Sequence, residues 1–198
     1  SLLSASVDGW FVLPLAVPSY LAGLVGSKPL SPDAPEALQA VADTRERIEA
    51  LMAVGGTHRP VWFHRRLGEL LYAGCGVSRS EAGLLRALEE VRALREEFWA
   101  DVTVVGGRAR LNQELEKALR VADFLELAEV MILDALDRRE SAGAHFREEY
   151  ATQGGEAQRN DEIWCSVSAW QTGPDGGHTR RTEPLSFSLV PMQVRDYR

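Results

Sequence analysis

The sequence predicts a mainly α-helical fold: a three-helix bundle with a short N-terminal helix before it and a small C-terminal β-ribbon after it. Three observations carry this. Apolar residues recur three and four positions apart through three long stretches, which places them on one face of a helix. Gly and Pro punctuate the chain between those stretches. After Gly143 the spacing changes to short alternating runs, the period of strands.

Taken in order, residues 1–13 read as a short buried helix, apolar on most sides and ended by Pro14, with 20–25 offering a further turn. Residues 26–35 form a turn-rich linker, whose Ser31-Pro32-Asp33-Ala34-Pro35 supplies a helix start. The first long helix covers 34–54, with Leu38, Val41, Ile48 and Leu51 on one face, and stops at Gly55-Gly56. A shorter helix over 63–73 carries Leu67, Leu70 and Leu71.

The second long helix covers 80–99, capped by Ser78 or Ser80, with Leu84, Leu88, Val91, Leu94 and Phe98 in line. The third covers 112–139, with a stripe of Val121, Leu125, Ala128, Ile132 and Ala135, widened by Phe124, Leu127 and Met131. Three such stripes bury one another most simply as a bundle. Strands are expected over 163–170 and 185–190, joined through a turn at 174–177.

The chain has 198 residues, enough to bury a sizeable core, with 45% hydrophobic and 26% charged residues. A net charge of -7 and the lack of a basic stripe argue against nucleic acid or anionic lipid as partner. Cys75 and Cys165 lack metal-ligand spacing and read as reduced, packed thiols. No basic region precedes the apolar opening, and Pro14, Pro18 and Gly23 interrupt it, so neither a secretory signal nor a membrane span is expected. An apolar start at Ser1 without an initiator Met suggests a domain cut from a longer chain.

Catalytic constellations are scarce. The paired glycines at 55, 106 and 154 read as helix stops and turns, not as a phosphate cradle. His58, His64, His145 and His178 are scattered, so no metal site is expected. Glu89, Glu90, Glu96 and Glu97 read as a solvated helix face paired with Arg92 and Arg95. The densest stretch, 137–150, reads as an ion-pair corner, where Arg138 and Arg139 suit a helix C-terminus and Gly143 with Ala144 lets backbone pass close to a neighbour.

That same stretch, Glu140-Ser141-Ala142-Gly143-Ala144-His145-Phe146-Arg147-Glu148-Glu149-Tyr150, resembles the Glu-Ser-x-Gly-Ala-His-x-Arg-x-(Asp/Glu)-(Tyr/Phe) signature of succinate dehydrogenase and fumarate reductase flavoprotein subunits. Leu111-Asn112-Gln113-Glu114-Leu115, Glu126-Leu127-Ala128-Glu129-Val130 and Arg159-Asn160-Asp161-Glu162-Ile163-Trp164 are similar to flanking parts of the same family. Ser1-Leu2-Leu3 matches the end of the family's Arg-x-Gly-x-Asn-Ser-Leu-Leu motif, which lies against the flavin.

The resemblance implies FAD as cofactor, with Ser1 and Leu2 touching the isoalloxazine ring and a helix N-terminus aimed at its electron-rich atoms. It divides the chain into the tail end of an FAD-binding domain (1–30), a helical bundle domain (31–150) and a small β-containing extension (151–198). The dinucleotide-binding Gly motif, the flavin-linking His and the Arg and His residues that bind dicarboxylate all precede this segment in the family, so no catalytic residue is expected here. The implied parent interconverts succinate and fumarate and passes electrons to an iron–sulfur subunit and a quinone. Membrane-anchor subunits would hold it on the cytoplasmic face of the cell membrane. Alternatives are an L-aspartate oxidase or another soluble member of the superfamily, or a helical interaction module with no redox role.

Overall fold

The computed structural model describes residues 2–108, 110–173, 176–189 and 191–193, without the side chains of Leu2 and Ser4. The chain forms two compact units, Ser1–Glu46 and Arg47–Arg198.

In the first unit, α1 (Leu2–Val7) runs into a π-helical turn (Asp8–Val12), then α2 (Leu13–Leu21) and a 3-10 turn (Ala22–Leu24). The expected stop at Pro14 does not occur. A proline lacks an N–H, and its ring collides with the carbonyl four residues back. The π turn just before it relieves this, since Leu13 N–H bonds to Asp8 O, five residues back, and the wall of the helix widens. Pro18 lies inside α2 and is carried as well.

Within this chain the segment is not buried: Trp10 is 79% and Tyr20 85% exposed, and Leu3, Phe11 and Leu15 are bare. By length and composition Ala5–Leu24, at a mean hydropathy of 1.3, is apolar enough to cross a membrane, contrary to the sequence expectation. Core helices of soluble proteins share that property.

Helix α3 (Pro35–Ala53) begins in the first unit and ends in the second. Its Leu51 is buried, but Leu38 and Val41 are exposed. The bundle consists of α4 (Pro60–Gly74), α5 (Glu81–Asp101) and α6 (Gln113–Asp137), so the short helix, not the first long one, supplies the third member. The stripe on α3 explains why: Thr44 and Arg45 interrupt it between Val41 and Ile48. Helix α4 keeps an unbroken series of Phe63, Leu67 and Leu70, all buried. It can also approach α5 closely, because a Cβ on Gly74 would lie 2.6 Å from Ala87 Cβ.

The expected stripes of α5 and α6 are all in the core, including Leu84, Val91, Phe98, Leu125 and Ile132. Phe124, Leu127 and Met131 do not widen it; they line an open groove against α4. Ser80 caps α5 by accepting the Gly83 N–H at 3.2 Å, and Asn112 caps α6 by accepting from Glu114 and Leu115 at 3.0 and 3.2 Å.

Among the described residues two small sheets accompany the bundle. Strands β1 (Ser78–Arg79) and β2 (Phe146–Arg147) pair in parallel, with Ser78 opposite Phe146 and Arg79 opposite Arg147. After a short helix, α7 (Asp161–Trp164), β3 (Ser166–Thr172) and β4 (His178–Pro184) form an antiparallel hairpin. The ribbon was expected, but its second strand was placed too late, at 185–190. A hairpin pairs the residues that follow its turn directly, and Thr172 opposite His178 sets that register. Residues 174 and 175 of the expected turn, and Val190, lie outside the described residues. The hairpin is tied to α6 by Trp170 Nε1–H donating to Asp134 at 2.7 Å and by the Arg180–Asp137 ion pair at 2.5 Å.

Candidate functional site

The signature stretch 140–150 builds a joint between the end of α6 and the start of α5. Arg147 is its centre, at 1% exposure. Its Nη1 donates to the Ala135 and Leu136 carbonyls at 2.7 and 3.2 Å, which no later helical amide satisfies. Its Nε donates to Glu149 at 3.1 Å, and its guanidinium lies 5.4 Å from the Tyr150 ring centre. The other Glu149 oxygen accepts the Glu81 N–H at 2.6 Å, the first amide of α5. A cation thus sits on the negative end of α6 and an anion on the positive end of α5, joined by an ion pair. Burial alone would raise the Glu149 pKa, but the Glu81 amide and Arg147 outweigh it and hold the carboxyl below its ordinary value.

Arg138 and Arg139 stand at the C-terminus of α6, as the sequence suggests, but neither side chain bonds its last carbonyls. Arg138 bonds Glu140 at 2.6 Å and the Ser166 carbonyl at 2.8 Å, fastening the β-hairpin, and Arg139 is exposed. Buried Glu140 also accepts the Asn160 N–H at 2.8 Å. Ser141, fully buried, accepts the Arg147 N–H at 2.8 Å and donates to the Arg147 carbonyl at 3.1 Å. Gly143 does not ease a close approach, since nothing lies within 4 Å of a Cβ built on it. Its φ of +61° serves the two-residue hairpin in which Ala142 and His145 exchange backbone bonds.

His145 is the titratable group of the joint. Arg79 Nη1 lies 2.9 Å from Nδ1, and an arginine can only donate, so Nδ1 accepts. Nε2 therefore carries the hydrogen and donates to the Arg138 carbonyl at 2.9 Å. Burial, and the charges of Arg79, Arg147 and Arg138, hold the imidazole pKa below its ordinary value.

Two further polar clusters were missed as sites. Thr57, His58 and Asp101 meet where the loop after α3 crosses the end of α5. Thr57 N–H and Oγ1–H donate to Asp101 at 2.7 to 3.0 Å, and His58 Nδ1 lies 2.5 Å from Asp101 Oδ2. The hydroxyl and the carboxylate use the same ring nitrogen, so the imidazole cannot relay a proton between them as in a nucleophilic triad. The bonds from Thr57 and then His58 lower the Asp101 pKa to about 2.

A depressed carboxylate stabilises the fold above its unfolded pKa and loses that contribution as pH falls through its folded one. Acid unfolding should therefore include a component between about 4 and about 2, and Asp101→Asn should remove it; chemical denaturation across that pH range measures this.

Glu129 is the other. It is 4% exposed and takes bonds from Arg92, at 2.7 Å, and from Arg95. Those arginines were expected to pair along α5 with solvated glutamates; instead they cross to α6. Burial would raise the Glu129 pKa, yet the two guanidiniums hold it below its ordinary value. A carboxylate at a stripe position, between Leu125 and Ile132, was the signal available in the sequence.

Of the residues expected to touch flavin, Ser1 lies outside the described residues, as does the side chain of Leu2. Leu2 is the first residue of α1. Among the described residues no group of three His, Cys, Asp or Glu could hold a metal ion.

Residues 64–197, which include the whole joint, match the family model described as fumarate reductase flavoprotein C-term. The chain belongs to that family. It is 29% identical, over its full length, to the succinate dehydrogenase flavoprotein subunit of Bacillus subtilis, and spans 32% of that protein. It is 25% identical over 81% of its length to the fumarate reductase flavoprotein subunit of a Serratia strain, spanning 26% of it. The chain thus covers a third or less of these relatives and corresponds to their C-terminal part.

Among solved structures, E. coli quinol fumarate reductase shares the family's fold, with a TM-score of 0.70 at 21% identity over 84% of this chain and 27% of that one. The Mycobacterium smegmatis Sdh1 complex in the apo form matches with a TM-score of 0.65 at 28% identity, over 87% of this chain and 27% of that one.

Proposed function

We propose that the full-length protein carrying this chain is an FAD-dependent oxidoreductase that interconverts succinate and fumarate. It would pass electrons to an iron–sulfur subunit and a quinone, and rest on the cytoplasmic face of the membrane through anchor subunits. The observation that carries this reading is the family match over residues 64–197 together with relatives named for both reactions. Within it, residues 1–30 belong with the FAD-binding domain, 31–150 form the bundle domain and 151–198 the extension.

What this chain contributes is position. The first amides of a helix have no intrahelical acceptor and carry the positive end of its dipole, so α1, opening at Leu2, suits the polar edge of an isoalloxazine. The exposed Leu3 and Phe11 beside it suit an apolar, water-excluding wall. When bound, FAD supplies a two-electron acceptor for a carbon–carbon bond; Ser1 and Leu2 hold its ring and bias its charge. The joint at 140–150 is committed to helix ends and takes no part in the chemistry.

The test is the full-length protein purified with its partner subunits. It should be yellow and should oxidise succinate with a dye acceptor. Substituting Ser1 or Leu2 should shift the flavin potential or weaken flavin retention. A colourless preparation, or an unchanged potential and retention in both variants, contradicts the reading.

A further inference from the structure

We propose that the joint between α5 and α6 is a proton-operated latch, closed by neutral His145 and opened when its Nδ1 takes up a proton. The latch is short. Arg79 Nη1–H donates to Nδ1 at 2.9 Å, and Nε2–H donates to the Arg138 carbonyl at 2.9 Å, so one ring bridges β1 and the end of α6. The first contact requires a neutral ring with its hydrogen on Nε2; the second persists in the imidazolium, whose Nε2 still carries a hydrogen. A proton arriving from water at Nδ1 turns an acceptor into a donor that faces another donor.

The charged groups around the ring make this opening decisive. Arg79 faces it from β1, Arg138 from the end of α6 and Arg147 from β2, and each repels an imidazolium. The neighbouring carboxylates are engaged elsewhere: Glu140 with Arg138 and the Asn160 amide, Glu148 with the Ser78 hydroxyl, Glu149 with Arg147 and the Glu81 amide. Among the described residues each of these carboxylates already holds a partner, so the protonated ring and the Arg79 guanidinium, whose Nε also donates to the Gly76 carbonyl at 2.8 Å, are pushed apart. Arg79 pairs through its backbone with Arg147, and Ser78 with Phe146, so repulsion at the ring falls on the β1–β2 pairing that leads into Glu149, the acceptor of the first amide of α5.

The sign follows from burial. The folded ring resists protonation, so the closed state is favoured above the ordinary histidine value of 6.5 and is lost as pH falls below it. Acidification thus frees the N-terminus of α5 while the core beneath it, centred on Phe98 and Ile132, is unaffected.

Hydrogen exchange of the full-length protein at about pH 7.5 and about pH 5 tests this, with rates corrected for intrinsic chemistry. Protection at residues 78–84 and 142–149 should fall by about ten-fold or more at the lower pH, while the middle of α6 holds. The carboxamide of His145→Asn offers Arg79 an acceptor that does not titrate, so its protection should be the same at both values. The wild-type midpoint should coincide with titration of the His145 ring, followed by its imidazole carbon shift. Equal wild-type protection at both pH values, a midpoint apart from that titration, or an acid loss retained in His145→Asn would overturn the proposal.

Discussion

Arg147→Ala should lower stability by about 3–5 kcal/mol, the cost of stripping several charge-assisted hydrogen bonds from a buried site. Its side chain is 1% exposed and serves two helix-end carbonyls, Glu149 and the Tyr150 ring together. Truncation takes the donor from the carbonyls of buried Ala135 and partly buried Leu136. Glu149, 37% exposed, recovers part of its solvation, which keeps the cost from rising further. Arg147→Lys should recover only part of the loss, leaving about 1–2 kcal/mol, because one ammonium cannot span the carbonyls and Glu149 as a planar fork does. Urea denaturation of the three proteins measures both differences. Equal stability of wild type and Arg147→Ala would mean that the joint does not hold the helices.

Phe98→Ala should cost about 3–5 kcal/mol as well, here through the cavity it leaves. Phe98 is fully buried and meets Phe63 edge-on at 5.2 Å and Trp99 at 5.3 Å between ring centres. The control is Trp99→Ala, whose ring is 38% exposed and lies at the bundle edge; its loss should be clearly smaller. If both truncations cost the same, the core does not run through Phe98.

What the sequence disclosed, and what it withheld, follows from the range of the forces involved. The stripes of α5 and α6 were legible because a helix places residues three and four apart on one face, a local rule. The cap of α5 is equally local, narrowed to Ser78 or Ser80 by sequence and to Ser80 by the fold, whereas the cap at Asn112 was not singled out. The partner of those two helices was not legible. Whether α3 or α4 completes the bundle turns on a gap at Thr44 and Arg45 and on the bare backbone at Gly74, and only packing weighs these against each other. Pro14 misled because the usual cost of proline assumes regular α geometry, and a single π turn changes the hydrogen-bond spacing.

The signature stretch was found from its resemblance, and its role as a corner from its charges. Which arginine does what was hidden. Arg138 and Arg147 are nine positions apart, and only the fold shows that the later one reaches back to cap α6 while the earlier one holds the hairpin. Arg79, the partner of His145, lies 66 positions away and carries no local signal at all.

Residues 140–150 act, on the proposed reading, as a structural joint in a flavoprotein whose chemistry resides elsewhere. Comparing the melting temperature and the succinate KM of full-length His145→Ala with wild type tests it most directly. The joint predicts a lower melting temperature, with KM within about two-fold of wild type, a change well under 1 kcal/mol. A KM raised by about ten-fold or more at an unchanged melting temperature would contradict it and place His145 at the substrate.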